Sequence, residues 1–122
     1  MARQARTVAA VFTLVLLVPA GIASAEVTVA EYRKMRNDPV VTLYLSGVIQ
    51  GLEWYDAAVQ KNGTPRVFCA PGTPGLNRDR YVKTLDNFLE APGGAAVIKS
   101  NPPIGNALML AMTQAFPCPK KP

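Results

Sequence analysis

Between residues 26 and 122 apolar positions recur at three- and four-residue intervals, and clusters of proline, glycine and asparagine interrupt them, a pattern that predicts helices joined by turns. Thr28-Val29-Ala30-Glu31 has capping-box spacing, in which the Thr hydroxyl and the Glu carboxylate each satisfy a free backbone N–H at a helix start. The short helix that follows runs through about Arg36, with Arg33, Lys34 and Arg36 near its negative end. Asn37-Asp38-Pro39 ends it and opens another, since Asp38 can cap and Pro39 suits the first helical position. From Val40 to Lys61 the apolar residues Val41, Leu45, Val48, Ile49, Leu52 and Tyr55 share one helical face, and Asn62-Gly63 stops the helix through a left-handed glycine. Thr64 to Asn77, with Pro65, Pro71, Gly72, Pro74 and Gly75, reads as a loop.

Asn77 caps a third predicted helix, Arg78 to about Glu90, whose stripe is Tyr81, Val82, Leu85, Phe88 and Leu89. Ala91-Pro92-Gly93-Gly94 ends it, and Ala95 to Lys99 can add a helical turn. A last helix spans about Pro103 to Phe116, burying Ile104, Ala107, Leu108, Ala111, Met112 and Ala115 before Pro117 halts it. The expected fold is a compact all-α bundle of about four helices, without strands or internal repeats.

Ahead of this domain stand Arg3 and Arg6, an apolar run from Thr7 to Ile22, and Ala23-Ser24-Ala25 before Glu26. Basic start, apolar middle and small-residue cleavage site are the marks of a secretory signal peptide over residues 1–25, removed after Ala25. The alternative is a membrane anchor, but the run is shorter than the roughly 20 residues a bilayer requires, and Pro19 and Gly21 interrupt its end. The expected product is a periplasmic domain of residues 26–122 with no stable membrane insertion. Removing the leader takes Lys+Arg from 13 to 11 against 8 acidic residues, so part of the basic charge belongs to the signal. Cys69 and Cys118 are the two cysteines, and a pair in an oxidising compartment is most simply a disulfide. A staple suits a chain of this size, whose core alone is marginal.

The chain contains no histidine, which removes Ser-His and Cys-His nucleophile pairs and histidine metal sites. Glu53 and Asp56, three apart beside Trp54 and Tyr55, resemble a paired-carboxylate site, but solvated helix-surface charges account for them more simply. The expectation is a protein that is not an enzyme and needs no cofactor. Trp54 reads as a core or interface aromatic. Arg78, Arg80 and Lys83 are interleaved with Asp79 and Asp86, so no stripe for nucleic acid results. Gly47 and Gly51 stand four apart in the longest helix, where each costs about 1 kcal/mol relative to alanine. Two compensations are open: close approach of another helix of the same chain, or a homodimer contact. The segments Ala70-Pro71-Gly72-Thr73-Pro74-Gly75-Leu76 and Pro92 to Pro103, the latter including Lys99, Ser100 and Asn101, are the candidate partner-binding loops, because loops on a rigid scaffold commonly carry recognition.

The order of motifs adds a family resemblance. Tyr44-Leu45-Ser46-Gly47, Gly51-Leu52-Glu53-Trp54, Phe68-Cys69-Ala70-Pro71, the helix from Tyr81 to Leu89, and Ala115-Phe116-Pro117-Cys118 together resemble the Rap/Tai-type immunity proteins over roughly Val40 to Cys118. The resemblance implies a small periplasmic helical protein with a Cys69–Cys118 disulfide that protects bacteria from peptidoglycan amidases delivered by type VI secretion. It further implies a tendency to dimerise and a loop pushed into the amidase cleft. The alternative is a general envelope or chaperone-like protein on the same scaffold with no toxin partner.

Overall fold

Thr28 begins the first helix as its spacing predicts: its hydroxyl accepts the Glu31 backbone N–H at 3.3 Å, and the Glu31 carboxylate accepts the Thr28 backbone N–H at 2.8 Å. These bonds hold the Glu31 carboxyl below its ordinary pKa. The computed structural model describes residues 26–71 and 76–120, so the expected signal peptide lies outside it. Five helices follow one another: α1 (Val29–Lys34), α2 (Pro39–Lys61), α3 (Arg78–Glu90), α4 (Gly94–Ser100) and α5 (Ile104–Ala115). The fold is all-α, with α2, α3 and α5 as its long members. Among the described residues the only β-type pairing is an isolated bridge between Thr28 and Pro103.

Local chemistry sets most boundaries. Asp38 caps α2 by accepting the Val40 N–H at 2.8 Å, with Pro39 at the first helical position. Gly63 follows the end of α2 at φ +67°. Asn77 caps α3 through the Arg80 N–H at 3.0 Å. In contrast, α5 has no side-chain cap, and the segment just before α1 supplies a partner instead. Ile104 N–H donates to Val27 C=O at 2.7 Å and Val29 N–H donates to Pro102 C=O at 3.0 Å. This clip fastens the entry to α1 onto the entry to α5.

The core lies where α3 and α5 pack together with α1, α2 and α4 around them. Tyr32, Leu45, Phe68, Tyr81, Leu85, Ile104, Leu108 and Met112 are among its buried members. Full burial of side chains of this size stabilises by roughly 1.5–3 kcal/mol each relative to exposure. Three sequence expectations about burial are corrected. Tyr55, expected on the buried face of α2, is 46% exposed, and after Leu52 the only buried residue of that helix is Val59. Ala115 is on the expected face of α5 but in its final turn, where nothing covers it, and is exposed. Trp54 is 74% exposed and is no core aromatic.

Two tyrosines link this core to charge. The Tyr32 hydroxyl donates to Asp86 Oδ1 at 2.7 Å, and Arg36 pairs with the same carboxylate. Burial, reinforced by Asp86, pushes the Tyr32 phenol up to about 12; burial, with Glu53 and Asp56 nearby, does the same to Tyr81. Both folded values lie above the ordinary 10.0, so folding favours the neutral phenols. Their contribution is complete below about pH 10 and is lost as pH rises towards 12. Urea midpoints are therefore expected to fall across that window, in step with tyrosinate absorbance, and Tyr32→Phe should shallow the fall. A midpoint unchanged through pH 12 would refute the assignment.

Candidate functional site

The first candidate segment begins where α2 ends. Asp56, on the last turns of α2, receives both the Nε and the Nη2 hydrogen of Arg66, at 2.8 and 2.7 Å, and a Gln60 amide hydrogen at 2.9 Å. A planar guanidinium on a carboxylate through two bonds fixes orientation as well as distance. The departing chain is thereby folded back along the helix it has just left. Two residues later Phe68 enters the core, and Cys69 is bound twice to the chain end, through its N–H to Phe116 C=O at 2.8 Å and through its disulfide to Cys118.

On the far side of the segment, Leu76 is half-buried against the core and Asn77 caps α3, while Arg78 donates to Ser46 Oγ of α2 at 2.9 Å. Of the predicted loop residues, Ala70 is half-buried and Pro71 is exposed; Gly72, Thr73, Pro74 and Gly75 lie outside the described residues. Both flanks of the loop are thus fixed to rigid elements, one covalently.

Asp56 is consequently an anchor for Arg66, whereas Glu53 is exposed without a side-chain hydrogen bond among those described. The two carboxylates have different surroundings, and only Asp56 is held in place. No cluster of three or more His, Cys, Asp or Glu residues suited to a metal ion occurs among the described residues. None of the described helices is long and apolar enough to cross a membrane.

The second candidate segment contains the helical turn expected over Ala95 to Lys99, extended by one residue at each end. Residues 94–100 are helix α4, so only Ala91 to Gly93 and Asn101 to Pro103 are connecting chain. Asn101, the residue ending α4, has φ 48°, and its side-chain oxygen accepts the Ala30 N–H at 2.8 Å. It thereby serves one of the free N–H groups at the start of α1. Ser100 Oγ donates to Val97 C=O at 3.1 Å, and Lys99 is exposed. This end of α4 is tied to α1, and the first loop is tied to α2 and the chain end. None of the described hydrogen bonds joins the two segments.

For Gly47 and Gly51 the structure disfavours one of the two open readings, the crossing within the chain. A Cβ built on either would meet nothing within 4 Å, so none of the described helices packs on them. The core-facing residues Val41, Leu45 and Ile49 occupy the other side of α2. Gly105 of α5 faces α2, and a Cβ there would sit 3.5 Å from Val48 Cγ1.

Sequence reasoning missed the Arg66 clamp and the Asn101 tie. Both join residues across turns or between distant helices, and neither residue type is rare enough to signal the pairing. Compared with known proteins, the chain matches no family model, no curated protein sequence and no solved structure.

Proposed function

We propose that this protein is a periplasmic immunity protein that binds a peptidoglycan amidase stoichiometrically and occludes its active site, doing no chemistry of its own. The observation that carries the reading is the loop between Cys69 and Asn77, held at one flank by the disulfide and the buried Phe68 and at the other by Leu76 and the α3 cap. A segment tethered at both ends loses less conformational entropy on docking than a free one, which suits a wedge that must enter an enzyme cleft. The motifs that carry the family resemblance include two of these anchors, Phe68-Cys69 and Pro117-Cys118. The proposed signal peptide places the domain where a cell-wall amidase acts.

Mixing the oxidised protein with the amidase encoded beside it is expected to give a one-to-one complex and to abolish release of peptide from purified sacculi. Replacing Pro71 to Gly75 by a Gly/Ser segment, with Cys69, Leu76 and Asn77 kept, should raise the inhibitory concentration about 100-fold, the scale of losing an interface hot spot, without lowering the thermal midpoint. Absence of a complex at micromolar concentrations, or full inhibition by the loop-replaced protein, would overturn the proposal.

A further inference from the structure

Where the chain turns back from the end of α2 it leaves a cavity of about 570 Å³ beside the disulfide, a size within the range of small-ligand sites. Pro65 and Pro119 give it apolar walls, and Cys69 and Cys118 bring the half-buried disulfide to its surface. Gln60, Thr64 and Arg66 are the polar side chains in its lining. The Arg66 guanidinium is held in a set plane, because Asp56 accepts from its Nε and Nη2, while Nη1 and its two hydrogens have no acceptor among the described hydrogen bonds. Gln60 is oriented by the same carboxylate, which receives its amide hydrogen and leaves its side-chain oxygen open as an acceptor. Thr64 adds an exposed hydroxyl. Lys61 and Lys120 are exposed and adjoin the lining residues Gln60 and Pro119 in the chain, so positive charge outweighs the one carboxylate of Asp56 here.

We infer that this cavity binds the carboxyl end of a short peptide. The free carboxylate accepts from Arg66 Nη1 and the Thr64 hydroxyl, a peptide N–H donates to the Gln60 side-chain oxygen, and a small apolar last residue lies between the prolines and the disulfide. A guanidinium has donors on more than one edge, so Arg66 can keep Asp56 on one and take a second carboxylate on another. Its side chain is already ordered by folding, and binding therefore costs little further conformational freedom. A small inorganic anion such as phosphate would use the cationic edge alone and leave the apolar walls and the Gln60 oxygen unmatched. A peptide end supplies a partner for each.

The inference does not depend on the amidase reading and is tested without an amidase. Titrating the isotope-labelled, oxidised protein with acetyl-Ala-Ala-Ala is expected to shift the NMR amide signals of Gly63, Thr64, Arg66 and Cys118, with a Kd below about 1 mM for a ligand of this size. The same peptide with an amidated end should bind about 10-fold more weakly, the scale of a hydrogen bond to a charged group. Because the sulfurs line the cavity, the acid peptide should also slow reduction of Cys69–Cys118 by dithiothreitol. Arg66→Gln should abolish the preference for acid over amide. Thr64→Val, which leaves the Arg66–Asp56 pair intact, should weaken the acid peptide about 3-fold and decides the matter if Arg66→Gln does not fold. No saturable shift at millimolar peptide, equal binding of acid and amide, an unchanged reduction rate, variants that bind like wild type, or inorganic phosphate shifting the same signals as strongly would each overturn it.

Discussion

Removing both cysteines, as Cys69→Ala with Cys118→Ala, is expected to lower the unfolding free energy by about 4 kcal/mol, because the bridge closes a 49-residue separation and so restricts the unfolded chain. For a domain this small that is a large share of the total. The native side of the bridge is well supported: the Cα atoms are 4.8 Å apart, the Cys69 N–H is bonded to Phe116 C=O, and Phe68 is buried next door. Those contacts remain when the sulfurs are gone, so the loss falls mainly on the unfolded state. The variant should keep the native circular dichroism spectrum at low temperature, with a much lower urea midpoint. Reduced wild-type protein should behave like the variant. Coincident urea curves for oxidised wild type and double variant would show that the bridge adds nothing.

The second large effect falls on a glycine. Gly94→Ala is expected to cost about 3 kcal/mol or more, at the top of the range for forcing atoms into a packed site, and to lower the melting temperature by on the order of 15 °C. Gly94 opens α4 directly beneath the end of α3. A Cβ there would stand 2.5 Å from Leu89 O and nearer still to Phe88 O, and both are backbone atoms that cannot swing aside. Gly93, one residue earlier, supplies the control: it has helical φ and ψ of −67° and −21°, and a Cβ would meet nothing within 4 Å. Gly93→Ala should therefore be neutral or slightly stabilising. Melting curves of the two variants side by side decide the matter, and similar midpoints would disprove the close approach of α3 and α4.

The contrast between these two glycines shows what a sequence can reveal. Gly93-Gly94 reads as one helix stop, and nothing in the residue types says that only the second is pressed against a carbonyl. Local chemistry was legible throughout: the Thr28–Glu31 box, the Asp38-Pro39 start, the left-handed Gly63 and the Asn77 cap all depend on residues within a few positions of one another. The all-α fold followed from periodicity, and the cysteine pair from there being two cysteines in the chain. The core stripe of helix α2 was legible from its spacing as far as Leu52 but not beyond, where Tyr55 is exposed and Val59 is buried. For Gly47 and Gly51 the spacing leaves both a crossing within the chain and a homodimer contact open, and a Cβ on either meets nothing within 4 Å among the described residues. In the candidate loop, the prolines and glycines marked its extent, whereas its anchoring through Arg66, Phe68 and Leu76 depends on contacts made only once the chain has folded.

The clip between the entries to α1 and α5 gives α5 an unusual standing. Its first residue is bonded to Val27, and just beyond its last turn the chain is bridged to Cys69, so the helix is secured at both ends by segments far away in sequence. Helices commonly fray from their termini, and fraying is where native-state opening begins. α5 offers no such starting point: releasing its first turn strips α1 from its seat, and releasing its last turn is opposed by a covalent bond. Amide exchange along α5 should accordingly proceed by opening of the whole domain.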